Sequence, residues 1–464
     1  MANPDGPRSQ ADGPVSSRPI TRRKVLGGMA GVAGLAAVPS LIAACGPSGS
    51  TTTGSPGASQ PAGSAAGSQP APAGGEVTFG SNASDAVPKA ALQKVFDAFT
   101  ASSGIKVAVN TVDHGTFQDQ ISSYLQGAPD DVFTWFAGFR ARFFASQGLA
   151  EDVSDVWAKI GTNQSEAFKA ASTGDDGKQI FIPFYNYPWV VLYRKSLFAE
   201  KGYTIPKTLD EFKALGTKMT ADGLAPLAFG DKDGWPAMGT FDILNMRQNG
   251  YAFHIGLMAG TEKWTDPRVK QVYETWKTIL PHFQTGALGR TWQEAAQAMV
   301  GKTAGMYFLG TFAAQQAQTE EEKADLDFFP FPTLGTEFDA ELGIDAPIDG
   351  FMLSTAKKNP EGSKALLEFL AGGEAQTIYV TEDPSNVAAA NDADKANYTE
   401  FQKKSAEIIA GSGAIAQFLD RDTRPDFAGP NGMQGFIQQF LTDPEQDLDA
   451  HLKSIQDFWD TLVV

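Results

Sequence analysis

The sequence predicts an α/β protein built of two domains, and three observations carry that expectation. Strand-like runs alternate with helical periodicities from Glu76 to Gly138 in the order β-α-β-α-β, the pattern of a parallel sheet with crossover helices. About 390 residues of the 464-residue chain lie beyond position 74, too many for one small core. The run QIFIPFYNYPWVVLYRK holds two strand-like segments broken at Pro183 and Pro188. Because proline disfavours continuous pairing, the chain is expected to turn there or cross between domains.

The elements follow in order. Glu76 to Phe79 reads as a first strand, and Val87 to Ser102 as a helix with Leu92, Val95, Phe96 and Phe99 at helical spacing. Ile105 to Val112 alternates as a strand should, Phe117 to Leu125 reads as a second helix, and APDDVFTWFAG as a buried third strand. ARFFASQGLAEDVSDVW reads as a helix, a glycine stop and a loop. Beyond the proline-broken pair, Thr208 to Glu211 is a capping box opening a helix. Trp264 to Leu280 and Trp292 to Val300 read as helices, and KTAGMYFLGTFAAQQA as a strand running into a helix. DLDFFPFP and APIDGFMLS read as strands, PEGSKALLEFLAGGEAQTIYV as two helices broken at Gly372-Gly373, and the chain from about Asn397 as largely helical.

The N-terminal region is read as export machinery. Thr21-Arg22-Arg23-Lys24 precedes an Ala/Gly-rich apolar run to Ala44, too short and too weakly apolar for a comfortable membrane span of roughly 20 residues. It reads as a signal peptide over residues 1–44. The arginine pair resembles a twin-arginine signal, with Val25 where that motif usually has Phe, and the general secretory route is the alternative. Cys45, the only cysteine, closes Ile42-Ala43-Ala44-Cys45, which resembles a lipobox. Lipidation there leaves no thiol for disulfides, zinc or redox work. Residues 45–75 are the lipidated Cys and a tether, which from Gly46 is Gly, Ser, Ala, Thr, Pro and Gln without charge and has a random-coil reach of roughly 30 Å.

Formal charge is −17 for the chain and near −20 once the signal peptide is removed, which argues against nucleic acid and against lying on anionic lipid. The aromatic content, 8 Trp and 32 Phe among it, suits carbohydrate binding and suits any well-packed core equally.

From about Gly75 onward the segments PDDVFTWFAGFRARFFASQGLAEDVSDVW, IPFYNYPWVVLYRKSLFAEKGYTIPKTLDEF, GDKDGWPAMGTFDILN, GKTAGMYFLGTFAAQQ and APIDGFMLSTAKKNPEGSKALLEFL fall in a familiar order. The chain resembles the extracellular solute-binding proteins of bacterial sugar ABC importers, the maltose-binding-protein-like family. Arg194 and Ser196 depart from the family's usual Tyr-Asn-Lys-Asp-Leu-Phe and are read as facing solvent. The resemblance implies two α/β lobes, 76–185 with about 340–395 and 186–339 with about 396–464, joined by a hinge. It also implies a sugar bound in the cleft between them and delivery to a membrane permease. The receptor is expected to be a monomer, held by lipidated Cys45 at the outer face of the cytoplasmic membrane. It implies no cofactor, no metal and no catalysis.

Sugars offer an apolar C–H face and an edge of hydroxyls, so a receptor needs flat rings for one and carboxylates, amides and Arg for the other. Trp235, with Asp233 beside it in DKDGWPAMG, is the leading ligand candidate, against a lobe-packing role. Tyr187 and Trp189 follow, with a core role as the alternative. Phe139 and Arg140 lie beyond the carboxyl end of the third strand, where open α/β sheets bind ligands. Asp349 interrupts an apolar strand, where a carboxylate is costly unless paired. Thr311 and Phe312 open a helix whose backbone N–H groups are free. Asn82 and His114 end the first two strands. Asp420 and Arg421 in FLDRDTRPDF are cleft candidates against the plainer reading of a structural ion-pair network.

Two rivals come from other classes. A polyamine receptor would also use acids and aromatics. An exported glycoside hydrolase would need two carboxylates roughly 5–9 Å apart, and no local motif singles out such a pair.

Overall fold

Twelve strands form two separate sheets and one short bridge between crossing segments, in a computed structural model that describes residues 75–462. The signal peptide, Cys45 and the tether up to position 74 lie outside the described residues. The strands are β1 (Glu76–Ser81), β2 (Lys106–Thr111), β3 (Val132–Phe136), β4 (Ile182–Asn186), β5 (Trp189–Arg194) and β6 (Ala225–Ala228). They continue as β7 (Ala304–Gly310), β8 (Leu326–Phe329), β9 (Ile344–Asp345), β10 (Ile348–Leu353), β11 (Val387–Ala388) and β12 (Ile415–Ala416).

The first sheet has the order β11-β4-β10-β3-β1-β2. Its β2-β1-β3 portion is parallel, as the opening alternation predicts, and β10, β4 and β11 follow in turn, each antiparallel to the strand before it. Helix Ala86–Ser103 crosses over between β1 and β2 and buries Leu92, Val95, Phe96 and Phe99, the four residues picked out by period. The second sheet has the order β6-β7-β5-β8, with β5 antiparallel to both neighbours. β3 and β5 are buried at every position, as expected of strands covered on both faces. The result is a pair of α/β lobes, each with helices over its sheet, and a cleft between them.

The chain leaves the first sheet at Asn186 and enters the second at Trp189, so YNYPW is a crossing. It returns between β8 and β10. After β11 it passes to the helices Glu400–Gly411, Met433–Thr442 and Leu448–Leu462, the last two packed in the second lobe's core. β9 pairs with β12, tying the second and third crossings together.

Several expectations need correction. Pro183 sits inside β4 and does not break it; the register shifts beside it, at Asp349–Gly350 of β10, where a regular ladder would need the missing N–H. The stretch read as a loop after Gly148 contains the helix Ser154–Ile160. Trp264 precedes its helix, which begins at Pro267 behind the Asp266 cap. Thr311 to Gln316 is a 3-10 turn, so the segment after β7 is not an ordinary α-helix. Arg194 does not face solvent: it is buried, donates from Nε to Asp325 Oδ2 at 2.7 Å and bonds the Val300 carbonyl. Ser196 is exposed, but its backbone N–H donates to the same carboxylate at 2.7 Å. The capping box at Thr208 and Glu211 forms as expected.

Candidate functional site

A cavity of about 110 Å³ opens between the sheets, where the ends of β1, β3, β4, β5 and β10 converge. Its second-lobe wall is aromatic. Trp189 opens β5, Trp235 caps the helix Pro236–Asn249, Trp292 starts the helix Trp292–Val300, and Phe312 and Phe418 come from turns. The rings form one belt. Trp292 meets Phe312 edge-on at 5.1 Å, Phe312 lies 6.1 Å from Trp235, and Trp235 stands at 82° to Trp189 at 6.4 Å. Phe418 stacks on Trp189 at 4.8 Å and 27°. Gly239 clears the space for this belt, since a Cβ there would stand 2.3 Å from the Trp189 ring.

The facing wall is polar and comes mostly from the first lobe. Asp349 on β10 receives Arg421 Nη1 at 2.6 Å, while Arg421 Nη2 donates to the Tyr187 hydroxyl at 3.1 Å. The Arg421 guanidinium lies 3.8 Å from the centre of the Phe136 ring. One residue earlier, Asp420 Oδ2 accepts from Arg140 Nη1 at 3.1 Å. The turn bearing Asp420 and Arg421 therefore joins both lobes through two ion pairs, buried for Arg140–Asp420 and partly buried for Arg421–Asp349. Burial raises the Asp349 carboxyl, and Arg421 opposes that rise.

Arg140 also fixes a histidine. Its Nη1 donates to Gln118 Oε1 at 2.8 Å, leaving the Gln118 amide to donate to His114 Nε2 at 2.8 Å. The other ring nitrogen then carries the proton and faces the Asn82 carbonyl. Burial, with Arg421 nearby, holds the His114 imidazole down at about 4, so it is neutral near pH 7. The His114 ring lies 6.3 Å from Trp235 across the cleft.

Asp420 Oδ1 and Arg421 Nε pair by charge at 3.8 Å without a hydrogen bond, and Asn386 Oδ1 accepts none from the protein. Asp349, Asn82, His114 and Asn386 give the cavity a polar lining opposite the rings, which suits a polyhydroxylated ligand. Among the described residues no group of three or more His, Cys, Asp or Glu is placed to hold a metal ion.

Trp235, Tyr187, Trp189, Asp349, Phe312, Asn82, His114, Asp420 and Arg421 all line this cavity. Four candidates do not. Asp233 is exposed and lines a neighbouring outer hollow of about 290 Å³, which shares Gln118 and Trp235 with the first. Phe139 lines neither space and lies under Arg142. Arg140 stands behind the wall, holding Gln118 and Asp420. Thr311 is fully buried at a crossing, its hydroxyl donating to the Ser385 carbonyl at 2.7 Å. Gln315 reaches Asp383 beside it at 2.8 Å.

Reading the sequence missed Trp292, Phe418, Asn386 and Asp85. Trp292 had a usable signal: the T-x-x-E box Thr291–Glu294 puts it at a helix start, much like Trp235. Asp85 lines the cavity and accepts from Gln293 of the opposite lobe at 3.3 Å. Phe418 had no local signal, because nothing in AQFLD predicts its backbone.

Residues 83–377 match the family described as bacterial extracellular solute-binding protein. The chain belongs to that family. The bacterial solute receptor AcbH, whose solved structure is reported with an exclusive preference for β-D-galactopyranose, is 46% identical. It superposes with a TM-score of 0.82 over 84% of this chain and 100% of that one. The diacetylchitobiose binding protein DasA of Streptomyces coelicolor is 26% identical over 294 residues, 58% of this chain and 63% of that protein. An uncharacterised ABC transporter extracellular-binding protein of Pyrococcus horikoshii is 22% identical over 294 residues, 63% of this chain and 65% of that protein. The match thus spans less than two thirds of the length of these two curated relatives. No described helix is long and apolar enough to cross a membrane.

Proposed function

We propose that this protein is the receptor of a carbohydrate ABC importer and that it captures a single pyranose, β-D-galactopyranose or a close relative. The observation that carries the reading is the opposition of the aromatic belt to a polar wall of Asp349, Asn82, His114 and Asn386. The cavity of about 110 Å³ is small beside the roughly 300–1,000 Å³ of sites for larger ligands, which favours one ring over a chain. The similarity to AcbH points to the same ligand class. Against a polyamine, Asp349 and Asp420 are already neutralised by Arg421 and Arg140.

The proposed lobes are 76–185 with about 340–395 and 186–339 with about 396–464, closing on the sugar about the crossings. The closed, monomeric receptor passes its ligand to a membrane permease. A lipid on Cys45 holds it at the outer face of the cytoplasmic membrane, and a Cys45→Ala variant is expected to leave the membrane fraction. It binds without turnover.

Calorimetric titration with D-galactose, other mono-, di- and trisaccharides and spermidine tests the reading. Tight binding of galactose with the sugar recovered intact supports it. Binding of spermidine alone, or consumption of the sugar, overturns it.

A further inference from the structure

Phe418 has a backbone that a phenylalanine rarely adopts. Its φ is 97° and ψ 142°, beyond the narrow left-handed well near +50 to +70° that side chains tolerate. Lys302 and Leu342, the other non-glycine residues of positive φ among the described residues, have φ of 60° and 46°. Phe418 is also buried and lines the cavity.

The surroundings explain why the conformation persists. On one side the Phe418 ring is stacked on Trp189 at 4.8 Å. On the other, the flanking residues are fastened to different parts of the molecule. Gln417 Oε1 accepts from Ile348 N of β10 at 3.0 Å, and Leu419 N donates to buried Asp242 Oδ2 at 2.6 Å. The Phe418 carbonyl accepts from Arg421 N and Asp422 N, each at 2.9 Å, closing the short turn that carries Asp420 and Arg421. The turn is also pressed against the first lobe, since a Cβ on Gly138 would stand 2.8 Å from the Arg421 carbonyl oxygen. With both neighbours anchored, residue 418 is where the backbone absorbs the change of direction.

We propose that Phe418 is a positioning residue for the binding site: its ring, stacked on Trp189, holds the strained backbone that turns Asp420 and Arg421 into the cleft. The binding part of this inference rests on the sugar reading above; the structural part does not. Without the ring, a residue with a Cβ is free to relax out of the left-handed region and withdraw the two charged side chains. Glycine tolerates the conformation without enforcing it.

The test uses the full chain and the variants Phe418→Ala, Phe418→Gly and Arg421→Met. In an ordinary helix glycine is less stable than alanine. Here the Gly variant is expected to melt above the Ala variant, and to bind D-galactose more tightly than it. Both are expected to bind at least about tenfold more weakly than the wild type, as for loss of roughly one good contact. A double-mutant cycle on ligand-free protein reads the positioning directly. Arg421→Met is expected to lower the melting temperature by less than half as much in the Phe418→Ala background as in the wild type. Additive losses, a Gly variant melting below the Ala variant, or an Ala variant binding as tightly as the wild type would overturn the proposal. If the wild type takes no galactose, the sugar reading fails, and the melting order and the cycle still decide the role of Phe418.

Discussion

The two walls of the cavity are built by different means. The second-lobe wall is made of rings that pack on one another, Trp292, Phe312, Trp235, Trp189 and Phe418, and it continues into that lobe's core. The facing wall is made of charges and amides, Asp349, Asn82, His114 and Asn386, held by hydrogen bonds to groups behind them. An aromatic wall costs little to bury and gains from packing. A polar wall is costly to bury unless each group is paired, so it needs a supporting layer. Arg140, Gln118 and Arg421 supply that layer, and Arg421 belongs to both walls' machinery because it enters on the turn that Phe418 begins.

The sharpest way to break the contrast is to remove Arg421. Arg421→Met leaves the partly buried Asp349 without its ion pair, and urea denaturation is expected to show a loss of about 3 kcal/mol, the low end for a buried pair. A second change, Asp349→Leu, is expected to restore much of that stability while binding stays lost. Next comes the aromatic wall. Trp189→Ala empties a fully packed position at the edge of the core and is expected to cost about 3–5 kcal/mol of stability. Trp235→Ala, at the cavity's rim, is expected to cost on the order of 2 kcal/mol in sugar affinity by calorimetry, with a smaller change in melting than Trp189→Ala. Equal effects of the two on stability would mean that the belt is core throughout.

Smaller effects sharpen the polar side. Asn82→Ala is expected to weaken sugar binding by about 1 kcal/mol, the worth of one hydrogen bond, and to leave melting nearly unchanged. A pH dependence adds a further test. His114 titrates at about 4 in the folded protein against its ordinary 6.5. Between those values the unfolded chain binds more protons, so this group's contribution to stability falls as the pH drops from about 6.5 to 4. The melting difference between wild type and His114→Asn is expected to shift against the wild type over that window. A difference that stays constant with pH would remove His114 from the neutral role.

Much of this architecture could be read along the chain because it is locally encoded. The β-α-β-α-β opening, the helix carrying Leu92, Val95, Phe96 and Phe99, and the capping box at Thr208 each follow from periodicity or a short motif. The crossing at YNYPW was legible too, although for a partly mistaken reason. Pro188 does lie between the sheets, whereas Pro183 is accommodated inside β4 by a register shift in its neighbour. The expectation for Arg194 failed because an arginine at a strand's end looks solvated until Asp325, far along the chain, is brought beside it.

The site divides in the same way. Trp235 at a turn and Asp349 within an apolar strand could be singled out from their immediate neighbours, because each violates the local pattern around it. The sequence alone supplied the residue types for both walls and, through the family resemblance, a sugar as the expected ligand. Only tertiary structure decided that Thr311 serves a crossing and Asp233 an outer hollow, and that Arg140 supports the wall from behind. It also decided the backbone of Phe418, since a left-handed phenylalanine is locally unfavourable by about 1–3 kcal/mol and is imposed by anchors on Ile348, Asp242 and Trp189. Short-range pattern fixes elements, whereas strain and buried charge persist only where distant parts of the chain hold them.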